Sequence, residues 1–224
     1  MIRHVHDRAT TASRPSRVVV ATDDARIVAA VEAFGGEALM TSERCVSGTD
    51  RVAEAITQLE AKGESFEVVV NLQGDEPFVA SAAIDAACAA VAKAPGEGRA
   101  PIATLGRPLK EGEQDDPAIV KVVVDQRGHA LLFSRAPIGR DREHPSRSIA
   151  MAHLGLYAYT RDALLDFAAL SSTPLEKAER LEQLRALEHG RTIAVASTAW
   201  TPAGIDTPED LERARAALTS KERH

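Results

Sequence analysis

The chain has 224 residues, 44% of them hydrophobic, with 27 Lys and Arg against 33 Asp and Glu and a formal net charge of −6. That length buries one sizeable core, and the acidic balance argues against a general nucleic-acid binder, which needs a surplus of cations facing the phosphates. Cys45 and Cys88 sit in no pairing or metal-like spacing, the start Met1-Ile2-Arg3-His4-Val5-His6-Asp7 lacks the apolar core of a signal peptide, and no apolar run approaches the ~20 residues of a bilayer span, so a cytoplasmic protein without membrane insertion is expected.

Residues 17–22 (Arg17-Val18-Val19-Val20-Ala21-Thr22) read as a buried strand, and Asp23-Asp24 offers an N-cap to a helix with Ile27, Val31 and Phe34 on one face, ended by Gly35-Gly36. A second helix is predicted from Asp50 to Gly63 with Val52, Ile56 and Leu59 inward. A strand over residues 66–72 then breaks into the turn Gln73-Gly74-Asp75-Glu76-Pro77. The Ala-rich stretch 80–94, interrupted by Asp85 and Lys93, is a helix. This β-α-β-α-β grammar predicts parallel strands with right-handed crossovers.

Residues 119–124, the turn Asp125-Gln126-Arg127-Gly128 and residues 129–133 read as an antiparallel hairpin, followed by a loop over 134–149 carrying Arg135, Arg140, Arg142 and Arg147. A strand follows over about 152–159. Thr173-Pro174-Leu175-Glu176 is a capping box with Pro at the first helical position, opening one helix that packs Leu181, Leu184 and Leu187 and stops at Gly190. Residues 192–197 form a late strand, and Thr207-Pro208-Glu209-Asp210 caps a final amphipathic helix.

Four constellations carry candidate chemistry. In an open α/β sheet, ligands bind beyond the carboxyl ends of the strands, which places Asp75 for a hard cation such as Mg²⁺ and its phosphates. The competing reading is a turn whose carboxylates cap the next helix. Gln73 and Gly74 favour a ligand, since Gly admits close backbone approach and Gln can read a base or sugar edge. Ser47-Gly48-Thr49-Asp50-Arg51 reads as a capped helix start whose backbone N–H groups and hydroxyls also suit an anion or nucleotide. Asp206 lies just outside the last cap, after Gly204, where it could share a cation with Asp75 if the two meet. Alternation puts His153, Gly155, Tyr157 and Tyr159 on one strand face. A structural histidine and, given the arginines upstream, an anionic substrate pocket are both open there.

Together with Val18-Val19-Val20-Ala21-Thr22-Asp23-Asp24, Phe133-Ser134-Arg135-Ala136-Pro137-Ile138 and Leu181-Glu182-Gln183-Leu184-Arg185, these segments resemble, in family order and across nearly the whole chain, the 3-deoxy-manno-octulosonate (Kdo) cytidylyltransferases of lipopolysaccharide biosynthesis. The resemblance implies a Rossmann-like nucleotidyltransferase fold of the nucleotide-diphospho-sugar transferase type. Its sheet is mixed and mostly parallel, with helices on both faces and an antiparallel hairpin insertion, in one domain over residues 1–224. It implies a homodimer that takes CTP and Kdo to CMP-Kdo and pyrophosphate with Mg²⁺. Asp75 and Asp206 match the family's metal-holding, catalytic acids. Ser47, Gly48, Thr49, Asp50, Gln73 and Gly74 match positions near nucleotide or sugar, and Arg135, His153, Tyr157, Glu182 and Gln183 match positions lining the sugar-acid pocket. Alternatives within reach of the same residues are a cytidylyltransferase for a related acid, such as an amino-Kdo or a nonulosonate, and an inactive nucleotide-sugar binding or dimerisation subunit.

The chain departs from the family at its start. Family members open with a strand and a loop of the form Pro-Ala-Arg, Ser, Arg, Pro-Gly-Lys-Pro that serves the triphosphate, whereas Met1 to Ala9 align with the helix after that loop. The expectation is therefore a chain shortened at its N-terminus, with Met1 a misassigned start. That first strand belongs between the Val18 strand and the Val68 strand, so its loss leaves either direct pairing of the two or unpaired interior edges. A smaller departure is Gly139, where the family commonly has Pro.

Overall fold

Caps, breakers and apolar periodicity are realised, in the computed structural model, as alternating helices and short strands. It describes residues 1–92, 94–144, 147–202, 204–205 and 207–221. In chain order the elements are α1 (Ile2–Thr10), β1 (Val20–Thr22), α2 (Ala25–Ala33), β2 (Ala38–Met40), α3 (Gly48–Glu60), β3 (Val68–Asn71), α4 (Ser81–Ala89), β4 (Ile102–Pro108), β5 (Lys121–Val124) and β6 (Ala130–Ser134). They continue with β7 (Met151–Thr160), α5 (Arg161–Ala169), α6 (Pro174–Glu179), α7 (Gln183–Glu188), β8 (Ile193–Ser197) and α8 (Pro208–Lys221).

Local chemistry accounts for most boundaries. Asp24 caps α2 by accepting from the Arg26 N–H, and the helix ends into Gly35 at φ +79. Its inward stripe is narrower than predicted: Val31 is fully buried, but Ile27 is 37% exposed. Helix α3 begins at Gly48 rather than Asp50 because Ser47, not Asp50, is the cap. The single helix predicted from Pro174 to Gly190 is two helices. The Thr173/Glu176 capping box opens α6 as expected, but the chain then turns through Arg180 at φ +54, the one non-glycine residue with positive φ among those described, before α7 begins. The turn lets Glu179 reach back to β6 while Glu176 pairs with Arg185 of α7.

A six-stranded sheet runs β6-β5-β7-β4-β8, with β3 also on β7. Strand β7 is antiparallel to β3, β4 and β5, and β8 is parallel to β4, so β3, β4, β5 and β8 share one direction and the sheet is mixed. The predicted hairpin is present, turning through Gly128 at φ +82 with Asp125 Oδ1 accepting from the Arg127 and His129 N–H groups. Alternation along β7 sends Leu154, Leu156 and Ala158 into a core with α1 and α4, and Tyr159 into a second core with Phe167, Leu164, Leu184 and Ile56. Helices thus cover both faces. No helix among the described residues is long and apolar enough to cross a membrane.

Strands β1 and β2 form a parallel ribbon of their own. Among the described residues β1 pairs only with β2 and β3 only with β7, so the gap expected between the Val18 and Val68 strands is not closed by direct pairing. Gly139 adopts φ +69, and a Cβ there would stand 2.9 Å from Val123 Cγ1 and 3.1 Å from the Ala150 nitrogen. Proline, fixed near φ ≈ −65°, cannot take this conformation.

Candidate active site

Strand β3 delivers the acidic turn to the sheet rim. Helix α4 starts only at Ser81, after Ala80, with no side-chain cap, so Asp75 and Glu76 do not serve as its caps. Asp75 Oδ1 is buried without a hydrogen-bond partner among the described residues. A buried carboxylate oxygen left so costs about 1–3 kcal/mol and marks a place for a cation or a ligand donor. The Ile205 N–H donates to the Asp75 carbonyl at 3.1 Å, and a Cβ on Gly204 would meet Glu76 Oε1 at 3.3 Å, so the segment leading to Asp206 lies on this turn. Asp206 itself lies outside the described residues. Among those described, no cluster of three or more His, Cys, Asp or Glu is preassembled for a metal.

Beside the turn stands the start of α3. Ser47 Oγ accepts from the Asp50 N–H and Asp50 Oδ2 from the Ser47 N–H, so both side chains are engaged in the capping box. Gly48 packs near Asn71, where a Cβ would sit 3.8 Å from Nδ2. A cleft of ≈ 440 Å³ gathers Gly48, Gln73, Gly74 and Asp75 with Ile2, Val5 and His6 of α1. Arg51 spans from α3 to Asp23 and Thr41, at 2.6 and 2.7 Å, and fixes the end of the β1–β2 ribbon against this cleft.

The second group is joined to the first where the Thr49 hydroxyl donates to Glu182 Oε2 at 2.9 Å. Glu182 Oε1 and Gln183 Nε2 are buried without hydrogen-bond partners among the described residues. His153 Nε2 lies 3.1 Å from the Tyr157 hydroxyl and 3.0 Å from Thr104 Oγ1, with the Phe133 ring edge-on at 4.9 Å. Burial pulls the His153 pKa down to about 3, and burial with the nearby Tyr159 and Glu182 pushes the Tyr157 phenol well above its usual value. Both side chains are therefore neutral hydrogen-bonding groups at pH 7.

Arg135 is held rather than free. Its N–H donates to Glu179 Oε2, its Nε to the Glu179 carbonyl and its Nη1 to the Pro117 carbonyl. Lys121, fully buried, donates from Nζ to the carbonyls of Asp116, Ile119 and Arg135 at 2.6–2.8 Å. Arg140 pairs with Asp115, so the loop's cations are not pooled around His153. A larger cleft of ≈ 590 Å³ near Arg161 and Arg191 contains none of the predicted site residues, and both its arginines are ion-paired, to Glu60 and Asp166.

A family model described as cytidylyltransferase matches residues 1–193. The 3-deoxy-manno-octulosonate cytidylyltransferase of Anaeromyxobacter dehalogenans (strain 2CP-C) is 51% identical over 220 residues, 98% of this chain and 87% of that protein. The chain belongs to the cytidylyltransferase family. An 8-amino-3,8-dideoxy-manno-octulosonate cytidylyltransferase of Shewanella woodyi is 47% identical over 97% of the chain and 87% of its own length. The solved structure of a CMP:2-keto-3-deoxy-manno-octonic acid synthetase complexed with CTP superposes with a TM-score of 0.88 at 38% identity, covering 98% of this chain and 88% of that one. A 4-diphosphocytidyl-2C-methyl-D-erythritol synthase, at TM-score 0.60 and 12% identity, shares the fold alone.

In this nucleotidyltransferase the sequence reading missed Thr104, Lys121 and Glu179. Glu179 sits in an ordinary helical stretch, Lys121 in a strand reading, and Thr104 in a segment given no element, so none carried a local signal. What marks them is burial and the partners that the fold brings to them.

Proposed function

We propose that this chain transfers CMP from CTP to Kdo, releasing pyrophosphate. The observation that carries the reading is the set of buried atoms without a hydrogen bond among the described residues on either side of the Thr49–Glu182 bond: Asp75 Oδ1 on one side, Gln183 Nε2 and Glu182 Oε1, the last 4.0 Å from the Arg185 guanidinium, on the other. An acidic turn beside a cleft and a cluster of buried polar side chains suit a nucleotide and a polyhydroxy acid respectively, and relatives near 50% identity are named for this reaction.

In the proposed site, Ser47, Gly48, Thr49, Asp50, Gln73 and Gly74 lie along the nucleotide and its junction with the sugar. Arg135, His153, Tyr157, Glu182 and Gln183 take the sugar acid, Arg135 as the cation for its carboxylate and the others through hydrogen bonds. The anomeric hydroxyl attacks the α-phosphorus of CTP in line, and the bond to the bridging oxygen breaks as pyrophosphate leaves. The chain contributes by orienting the two reactants and excluding water, with no covalent enzyme intermediate. The orphaned Asp75 Oδ1, with the Ile205 segment held on the Asp75 backbone carbonyl, fits a hard cation. A Mg²⁺ held by Asp75 and Asp206 would offset the negative charge of the phosphates. The working form proposed is a cytoplasmic homodimer.

The 47% identity with an amino-sugar enzyme supports a second substrate reading, an 8-amino analogue of Kdo. Assaying CMP transfer to Kdo, 8-amino-3,8-dideoxy-Kdo and a nonulosonate with CTP and Mg²⁺ distinguishes the readings. Kdo is expected to give the highest kcat/KM, and a preference for either other acid would replace it.

A further inference from the structure

Where β4 meets β7 the register slips: Thr104 faces Tyr157 while Leu105 faces Leu154, so Gly155 and Leu156 bulge out of the ladder. Bulges beside functional sites re-aim side chains, and this one carries three of the residues in question. His153 precedes it, Tyr157 follows it, and Gln73 Nε2 donates to the Gly155 carbonyl at 3.3 Å. A Cβ at Gly155 would stand 2.9 Å from that same nitrogen, so only glycine lets the Gln73 amide rest there.

Inside the bulge sits the hydroxyl of Thr104, a residue with no exposed surface. Thr104 Oγ1 is 3.0 Å from the Leu154 carbonyl, the Leu156 carbonyl and His153 Nε2. The carbonyls can only accept, so the single hydroxyl proton goes to one of them or is shared between them, and the oxygen turns a lone pair to the ring. A Thr104 lone pair facing the ring favours a hydrogen on His153 Nε2, with the Tyr157 hydroxyl, a donor as well as an acceptor, taking it as a second acceptor while Nδ1 keeps the lone pair. Burial keeps the ring neutral at pH 7, so one tautomer is selected rather than a cation formed.

We propose that Thr104 is a positioning residue for this site: its hydroxyl holds the bulge open and fixes His153 as the Nε2–H tautomer, and thereby sets where Gln73, His153 and Tyr157 stand. The proposal rests on the reading that His153 and Tyr157 take the sugar acid and that Gln73 lies where the sugar meets the nucleotide. The Nδ1 lone pair so reserved suits a hydroxyl of a polyhydroxy acid.

The test has two independent readouts on the full chain. In ¹⁵N-histidine NMR without substrate, His153 should show the Nε2–H pattern in wild type and in Thr104→Ser and lose it in Thr104→Val. In kinetics, Thr104→Val should raise the KM for Kdo about tenfold while the KM for CTP stays within about twofold, and Thr104→Ser should restore both, because a small misplacement costs affinity only where the displaced groups bind. An Nδ1–H pattern in wild type, or Thr104→Val with an unaltered spectrum and unaltered constants, overturns it. If Thr104→Val does not fold, the wild-type tautomer decides. If wild type makes no CMP-Kdo, the functional reading fails while the spectra still answer for Thr104.

Discussion

The Thr49 hydroxyl donates to Glu182 Oε2 at 2.9 Å across 133 residues of sequence, locking the first turn of α3 to the residue before α7. Thr49 is 2% exposed, and the other Glu182 oxygen, buried 4.0 Å from the Arg185 guanidinium, has no hydrogen bond among the described residues. Hydrogen bonds to charged groups are worth about 1.5–3 kcal/mol, so Thr49→Val should lower stability by about 2 kcal/mol. A urea-denaturation double-mutant cycle with Glu182→Gln should show coupling above about 0.5 kcal/mol, and additive effects would show that the bond does not join the two halves.

His153 gives a pH signature. Its folded pKa of about 3 lies below the ordinary 6.5, so the unfolded chain takes up a proton that the folded chain refuses. The burden is absent above pH 6.5 and grows as pH falls from there towards 3. Between pH 7.5 and 5 it should remove about 2 kcal/mol of stability, a loss that His153→Gln should lack. Equal pH slopes for the two proteins would show that His153 is not held neutral. Activity should likewise show no titration near 6.5 from this residue.

Gly139 should resist replacement. A left-handed residue with a side chain costs about 1–2 kcal/mol, and here the Cβ also meets Val123 Cγ1 at 2.9 Å. Gly139→Ala is expected to destabilise by about 2 kcal/mol or more and Gly139→Pro by more, read from denaturation midpoints. An unchanged midpoint for Pro would mean that the loop adopts another backbone.

The Glu176–Arg185 pair binds α6 to α7 across the turn at Arg180. Both side chains are 12% exposed, and the two bonds measure 2.9 and 2.5 Å. The Arg185 guanidinium lowers the Glu176 pKa and also lies 5.5 Å from the Phe167 ring centroid. Glu176→Gln removes the bidentate partner of a largely buried cation, leaving it only the Glu182 carboxylate at 4.0 Å, and should cost about 3 kcal/mol. Because α7 begins beside Glu182, the KM for Kdo should rise as well, whereas a loss of stability without that rise would separate the pair from the site.

Much of this arrangement was legible in the chain because it is local. Thr173 and Thr207 announce their helices through caps, Ser47 to Arg51 announce a capped helix start though not which residue caps it, Gly128 announces the hairpin, and the break after Leu72 announces the rim of the sheet. The missed parts are those that only tertiary contacts decide. Strand β4 was overlooked because it is buried from Ile102 to Arg107 and shows no alternation, and α5 because its Leu164 and Phe167 follow directly on β7. The break at Arg180 could not be read from a continuous leucine stripe, since it exists to satisfy Glu179 at β6 and Arg185 at Glu176. Of the candidate residues, Gly48, Gln73, Gly74 and Asp75 gather at one cleft, Thr49 and Glu182 touch, and His153 and Tyr157 touch. Ser47 and Asp50 spend their side chains on the cap, and Arg135 is engaged with Glu179 and Pro117.

The most direct measurement is formation of CMP-Kdo and pyrophosphate from CTP, Kdo and Mg²⁺ by the wild-type chain and by Asp75→Asn, with circular dichroism confirming that both are folded. The proposed function predicts equal amounts of the two products from wild type and a fall of about 100-fold or more in Asp75→Asn, the scale expected when a charge-stabilising group is lost at the reacting centre. CTP binding by wild type without transfer to any sugar acid, or near-normal turnover in Asp75→Asn, would contradict it.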